Sequence, residues 1–284
     1  MLIKEEKNRL FLQHGPTNVV LEAFGGNKNL AYNNVKKYFE TILEELVPDL
    51  ALLKKKVVLN RKFNNKISQS MQNATEKFAP TFITPMASVA GSIADNILKV
   101  LVNNTNLEKA YVNNGGDVAF HLSENQIMKS SLAAIPNMIA EIKYKDKSRG
   151  IATSGWRGKS FSRGIADSVT VLAKNAAIAD AAATMICNSV DIYNHPKIKK
   201  KPANNIYEDS DLKNLLITVE VGELTKVEIK EAIKNGYETA MQYIQKDLIN
   251  TALIQLSDYF CIIQKKSADL NIINKSCLKK ITYN

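Results

Sequence analysis

The chain has 284 residues, 45% of them hydrophobic, and a formal net charge of +10 carried mostly by lysine. That length and apolar content supply a sizeable core, in one large domain or two intimate ones. Cys187, Cys261 and Cys277 are odd in number, widely spaced and lack a C-x-x-C, which excludes a zinc knuckle or a disulfide framework.

The N-terminal "MLIKEEKNRLFLQHG" has no apolar signal core and no lipid-attachment cysteine. "RLFLQHG" and "TNVVLEAFGG" read as two strands around a turn at Gly15 and Pro16. "NLAYNNVKKYFETILEELV" follows as a helix, with Val35, Phe39, Ile42, Leu43 and Leu46 on one face and Pro48 closing it. Residues 49–65 read as irregular and basic. "NKISQSMQNATEKF" is a modest helix ended by Pro80, and "PMASVAGSIADNILKVLV" a tightly packed one beginning near Pro85.

"KAYVNNGGDVAFHL" at 109–122 reads as two strand pieces around Gly115 and Gly116, and the stretch around Pro136 is ambiguous. "IATSGWRGKSFSRG" reads as a short strand and a polar loop, "SVTVLA" as a strand, and "KNAAIADAAATMICNSVD" as an alanine-rich helix. "NHPKIKKKPANN" is a connector, "LLITVEVG" a strand, "KVEIKEAIKNGYETAMQYIQKDL" a long helix and "DYFCIIQ" a last strand. Residues 1–264 are expected to form one domain, with 265–284 a flexible basic tail. Strands and helices mix without regular βαβ alternation, so the expected fold class is α+β.

No stretch approaches the roughly 20 apolar residues of a bilayer span. The expectation is a reduced cytoplasmic protein without one. The charge would suit an anionic partner. The densest basic runs, "LKKKVV" and "KIKKK", are not interleaved with aromatics, which argues against nucleic acid.

No G-x-G-x-x-G follows a strand and no G-x-S-x-G occurs. His14, His121 and His195 show no metal spacing. "GWRGKS" ends like a P-loop, but Thr153 stands where the first glycine belongs. Gly115 and Gly116 fit either a plain hairpin turn or a close backbone approach to a ligand. "ATSGWRGKS" fits either a polar surface loop or a phosphate nest. Asp180 and Thr184 lie one turn apart on one helical face. They either complement the helix dipole and back-bond to a carbonyl, or offer the hard oxygens that Mg²⁺ prefers.

In order along the chain, "VAGSIAD", "YVNNGGDVAF", "IATSG" and "SVTVLAKNAAIADAAAT" resemble the ApbE-like proteins, whose known members move FMN from FAD to a protein. The resemblance covers about residues 80–190. The flanking segments look nearer an uncharacterised branch of that superfamily than the transferases proper. It implies an ApbE-like fold with an antiparallel or mixed sheet and packed helices. It also implies Mg²⁺ held by Asp180, Thr184 and a backbone carbonyl around Val89. Gly91, Asp95, Asn114, Gly115, Gly116, Asp117, Thr153, Ser154 and Gly155 would belong to the cofactor site, and FAD would be the ligand. The acceptor would be a protein threonine, attacking FAD and displacing AMP. The alternative is a non-catalytic module for a different nucleotide or phosphate-containing metabolite. Two departures bear on this. Ala90 stands where the family helix carries lysine, and "FSRGIAD" lacks the family's histidine and proline. Arg157, Lys159 or Arg163 would then supply the missing positive charge.

Overall fold

The computed structural model describes residues 1–131, 138–158, 160–265, 271–274 and 278–283. The chain opens with strands β1 (Leu2–Glu6), β2 (Arg9–His14) and β3 (Thr17–Phe24), followed by helices α1 (Lys28–Leu46), α2 (Leu50–Leu53), α3 (Lys66–Thr75) and α4 (Val89–Val102). Next come β4 (Lys109–Asn114), β5 (Asp117–Leu122), β6 (Ile127–Ser131), β7 (Met138–Lys143), β8 (Gly150–Ser154) and β9 (Ser168–Ala173). Then follow α5 (Ala176–Ser189), β10 (Ile198–Pro202), β11 (Leu216–Val221), α6 (Lys226–Gln245), β12 (Thr251–Leu256), β13 (Tyr259–Gln264), β14 (Asn271–Asn274) and β15 (Lys279–Lys280).

Ten strands form one sheet in the order β1-β2-β3-β4-β5-β8-β9-β12-β13-β15. Its pairings are antiparallel except β13 with β15, so the fold is α+β with a mixed sheet. The helices cover one face. Their apolar stripes build two cores, one around α1 and α4 and one around α5 and α6. On α1 the buried positions include Val35, Phe39, Ile42 and Leu46, as the 3.6-residue period requires. The small sheet β14-β7-β6 shares a third core with the main sheet, centred on Phe120, Ile142, Leu172 and Phe260.

Five strands escape the sequence pattern. β1, β6 and β10 are short and mostly polar, so they give little apolar alternation. β12 is buried on both faces and reads as an unbroken apolar run. β7 lies in the ambiguous stretch; Pro136 itself falls outside the described residues. The terminal segment also differs from a free tail. β14 pairs with β7, β15 pairs with β13, and Ile281 is buried. Pro85–Val102 is long and apolar enough to cross a membrane by length and composition, the one such helix among the described residues. Here 56% of that window is buried, because α4 is the central helix under the sheet.

Helices α4 and α5 cross at close range, and glycine makes this possible. A Cβ on Gly91 would stand 2.3 Å from the Ala176 carbonyl oxygen, a backbone atom that cannot swing aside. Gly91→Ala is therefore expected to overpack the crossing by about 3 kcal/mol and lower Tm by roughly 5–10 °C in thermal denaturation. Gly116→Ala, in open space at φ +117°, is expected to cost only backbone strain, roughly 1 kcal/mol.

Candidate functional site

The crossing helices cap each other. Asp95 on α4 accepts from the backbone N–H groups of Ala176 (3.0 Å) and Ala177 (2.9 Å), the first turn of α5. Asp180 on α5 accepts through Oδ2 from the N–H of Gly91 (3.0 Å), in the first turn of α4. Each carboxylate thus faces the positive end of the other helix. The dipole reading of Asp180 holds in a modified form, since it serves the neighbouring helix and not its own.

The two acids differ in what remains. Both oxygens of Asp95 are engaged by α5, so this residue caps that helix and is not part of the cleft lining. Burial lifts its pKa to about 6, against the pull of those two N–H groups. Asp180 has one oxygen toward Gly91 and meets Asp117 carboxyl to carboxyl. Asp117 opens β5 and is buried, with the Thr153 N–H 3.4 Å from its Oδ1. Burial first, then the mutual charge, pushes Asp180 well above the ordinary carboxylate range. Burial raises Asp117 to about 7. The pair therefore holds a proton near neutrality, because two desolvated carboxylates in contact cannot both ionise cheaply. Asp95 adds to the repulsion on Asp180, and neither member of the pair has an ion-pair partner among the described residues.

Asp117 and Asp180 line a cleft of ≈ 470 Å³ together with Val89, Ala90 and Thr184. The Thr184 hydroxyl makes no hydrogen bond to its own helix or to any other described residue, so it is free toward the cleft. The three implied metal positions, Asp180, Thr184 and Val89, thus share one wall with Asp117.

The remaining implied positions go elsewhere. Gly115 (φ +66°) and Gly116 (φ +117°) form the β4–β5 hairpin turn, with Gly116 N–H donating to Asn113 Oδ1 at 2.8 Å. They are exposed and not part of the cleft lining, so the plain turn is what their conformation requires. Asn114 donates its amide to the Ala90 carbonyl at 3.1 Å, which ties the hairpin to the start of α4. Gly91 serves the helix crossing, as above. The Thr153 hydroxyl meets that of Thr170 at 2.8 Å, and Ser154 turns toward Cys187. A Cβ on Gly155 would stand 2.2 Å from the Asp167 carbonyl oxygen. "TSG" therefore packs β8 against its neighbours and reaches the cleft only through the Thr153 N–H.

Of the three cations considered, Arg157 is 3.2 Å from Asp167 and lies over the Trp156 ring, and Lys159 is outside the described residues. Arg163 lines the cleft, and its guanidinium has no ion-pair partner among the described residues. A second cavity of ≈ 530 Å³ adjoins the first through Phe82, Arg163, Met185 and Asn188. Both sizes are those of small-molecule sites, roughly 300–1,000 Å³. Sequence reasoning missed the opposite lip. Segment 207–212 leans over the cleft, with Asp209 paired to Lys54 and Asp211 bonded to the Thr84 hydroxyl. Two acids two residues apart in "YEDSDL" were the available signal, and nothing local showed which surface they face.

A model of the family described as "AbpE bacteria" matches residues 1–266. The chain belongs to this family, within the ApbE-like superfamily. A UPF0280 protein of Methanocaldococcus jannaschii is 36% identical over 136 residues, 45% of this chain and 52% of that protein. The UPF0280 protein of Methanobrevibacter smithii is 33% identical over 170 residues, 56% of this chain and 70% of that one. The chain thus spans about half the length of the first relative. Both are named only as UPF0280 proteins, in keeping with the expected uncharacterised branch of the superfamily. The flavin transferase ApbE from Vibrio cholerae has the same fold, with a TM-score of 0.50, 12% identity and coverage of 91% of this chain and 97% of that one.

Proposed function

We propose that this AbpE-family chain binds a flavin nucleotide in the Asp117–Asp180 cleft with the help of Mg²⁺, and that it transfers FMN from FAD to a protein hydroxyl. One observation carries the reading. Among the described residues two carboxylates meet there without a cation, beside an unused hydroxyl, and hard oxygens are what Mg²⁺ takes. Asp180, Thr184 and the Val89 carbonyl would hold the ion. When bound, it would neutralise charge on a pyrophosphate, the main demand of phosphoryl chemistry.

The chain's own residues supply the rest. Arg163, which lines both cavities and has no ion-pair partner among the described residues, would hold a phosphate oxygen and supply the positive charge lost with the family's lysine and histidine. The two adjoining cavities offer room for the two ends of a dinucleotide. In the transfer, an acceptor hydroxyl oxygen would bond to the FMN-side phosphorus as the phosphoanhydride bond breaks. AMP would leave with the bridging oxygen. The same geometry would serve a non-catalytic module holding another nucleotide, and the lost lysine at Ala90 favours keeping that second reading.

The test is incubation of purified protein with FAD and MgCl₂, read by bound-flavin absorbance and chromatographic AMP. Bound flavin with AMP release is the expected result. Bound flavin without AMP would select the module, and neither signal would sink both flavin readings.

A further inference from the structure

On the far side of α4 and α5 lies a third cavity, ≈ 650 Å³, which the cleft chemistry does not use. Four elements each bring one lysine to it. Lys66 opens α3, Lys77 follows that helix, Lys99 sits on α4, and Lys174 precedes α5. All four are exposed at its rim, and none has an ion-pair or hydrogen-bond partner at its ammonium among the described residues. Several lysines elsewhere on the chain are paired instead. Lys199, Lys200 and Lys265 stand 2.6–2.9 Å from carboxylates. The one carboxylate among the described lining residues, Glu76, accepts through Oε2 from the Asn60 N–H at 3.2 Å and the Gln72 amide at 3.1 Å, so four lysines face a single acid.

We infer that this cavity is a binding site for a compact polyanion, a small molecule carrying a chain of two or more phosphates. Four like-charged side chains lining one concavity repel one another, and a concave wall focuses their field. An anion of high charge density relieves that repulsion. The first turn of α5 adds little, because Asp95 and Asn175 already accept its N–H groups. Shape favours a compact ligand over a nucleic-acid strand. The lysines come from separate segments around one concavity, and among the described lining residues Phe63 is the one aromatic side chain, too few for base stacking.

The test uses inorganic tripolyphosphate as probe, with calorimetric titration in EDTA and low salt on the full chain. Wild-type protein is expected to bind it, and Lys99→Gln with Lys174→Gln to weaken binding by about tenfold or more. Lys37→Gln with Lys226→Gln, exposed lysines elsewhere, should leave binding unchanged. Asp180→Asn should also leave it unchanged, which separates this site from the flavin cleft. No binding by wild type, or equal loss in both lysine pairs, would overturn the proposal. So would a single-stranded oligonucleotide that displaces tripolyphosphate and loses affinity with the same two substitutions, since the site would then be a nucleic-acid surface.

Discussion

Asp180→Asn is expected to leave the fold intact and to weaken Mg²⁺-supported flavin-nucleotide binding by about 100-fold. Outer partners of a metal are commonly worth ~10–100-fold, and a direct carboxylate ligand should reach the upper end. Asparagine keeps an oxygen for the Gly91 N–H, so the cap on α4 survives. It also removes a charge that Asp117 repels. Asp180→Ala is the less informative change. It orphans the Gly91 N–H, at roughly 1–3 kcal/mol, and confounds stability with binding. Asp95→Asn provides the mirror image. One of its two N–H partners loses an acceptor, so stability should fall while binding at a permissive temperature stays normal. Equilibrium titration with FAD and thermal denaturation of the two variants together decide the matter. Wild-type affinity in Asp180→Asn would remove Asp180 from the site.

That pair of variants also marks what was legible in the sequence. Asp95 and Asp180 look alike from the chain, each an acid in a small-residue helix. Only the crossing of α4 and α5 distinguishes them, by engaging both oxygens of one and a single oxygen of the other. Thr184 was legible because i and i+4 share a helix face, and its free hydroxyl follows from the cleft beside it. Gly115 and Gly116 were legible as a turn, but the sequence does not separate a plain turn from a ligand contact, since one backbone conformation serves both purposes.

The fold divides along the same line. Helix α1 was readable from its apolar period, α5 from its alanines and α4 from its small residues behind Pro85. β14 and β15 exist because β7 and β13 offer edges far away in sequence, which no local pattern encodes. "KIKKK" reads as solvated charge, yet β10 pairs with β11, with Lys199 3 Å or less from Glu220 and Lys200 2.6 Å from Asp191. Likewise the lip formed by Asp209 and Asp211 depends on where the β10–β11 connection falls.

The carboxyl pair makes the metal-free protein respond to pH in the direction opposite to ordinary salt-bridged acids. In the unfolded chain an aspartate titrates near 3.9. In the folded chain Asp117 is held at about 7 and Asp180 well above the ordinary range, chiefly by burial. Between those limits the native state binds more protons than the unfolded state, so stability falls as pH rises. Glu228 works the other way, lowered to about 2 by the capping-box N–H and His195. Its effect is complete below pH 5 and does not overlap the window. With EDTA, Tm should therefore decline from pH 5.5 to 8. Mg²⁺ reverses the sense, because the ion binds only the deprotonated ligands and its affinity rises over the same interval. Each displaced proton changes apparent affinity about tenfold per pH unit. Millimolar Mg²⁺ should then flatten or invert the Tm profile at pH 8 while changing little at pH 5.5. Asp180→Asn should abolish the Mg²⁺ response and leave a weaker decline, from Asp95, which ends near 6, and from Asp117, which burial still raises. Identical profiles with EDTA and with Mg²⁺ across this range would mean that the two carboxylates share a proton for the fold alone and that no ion belongs between them.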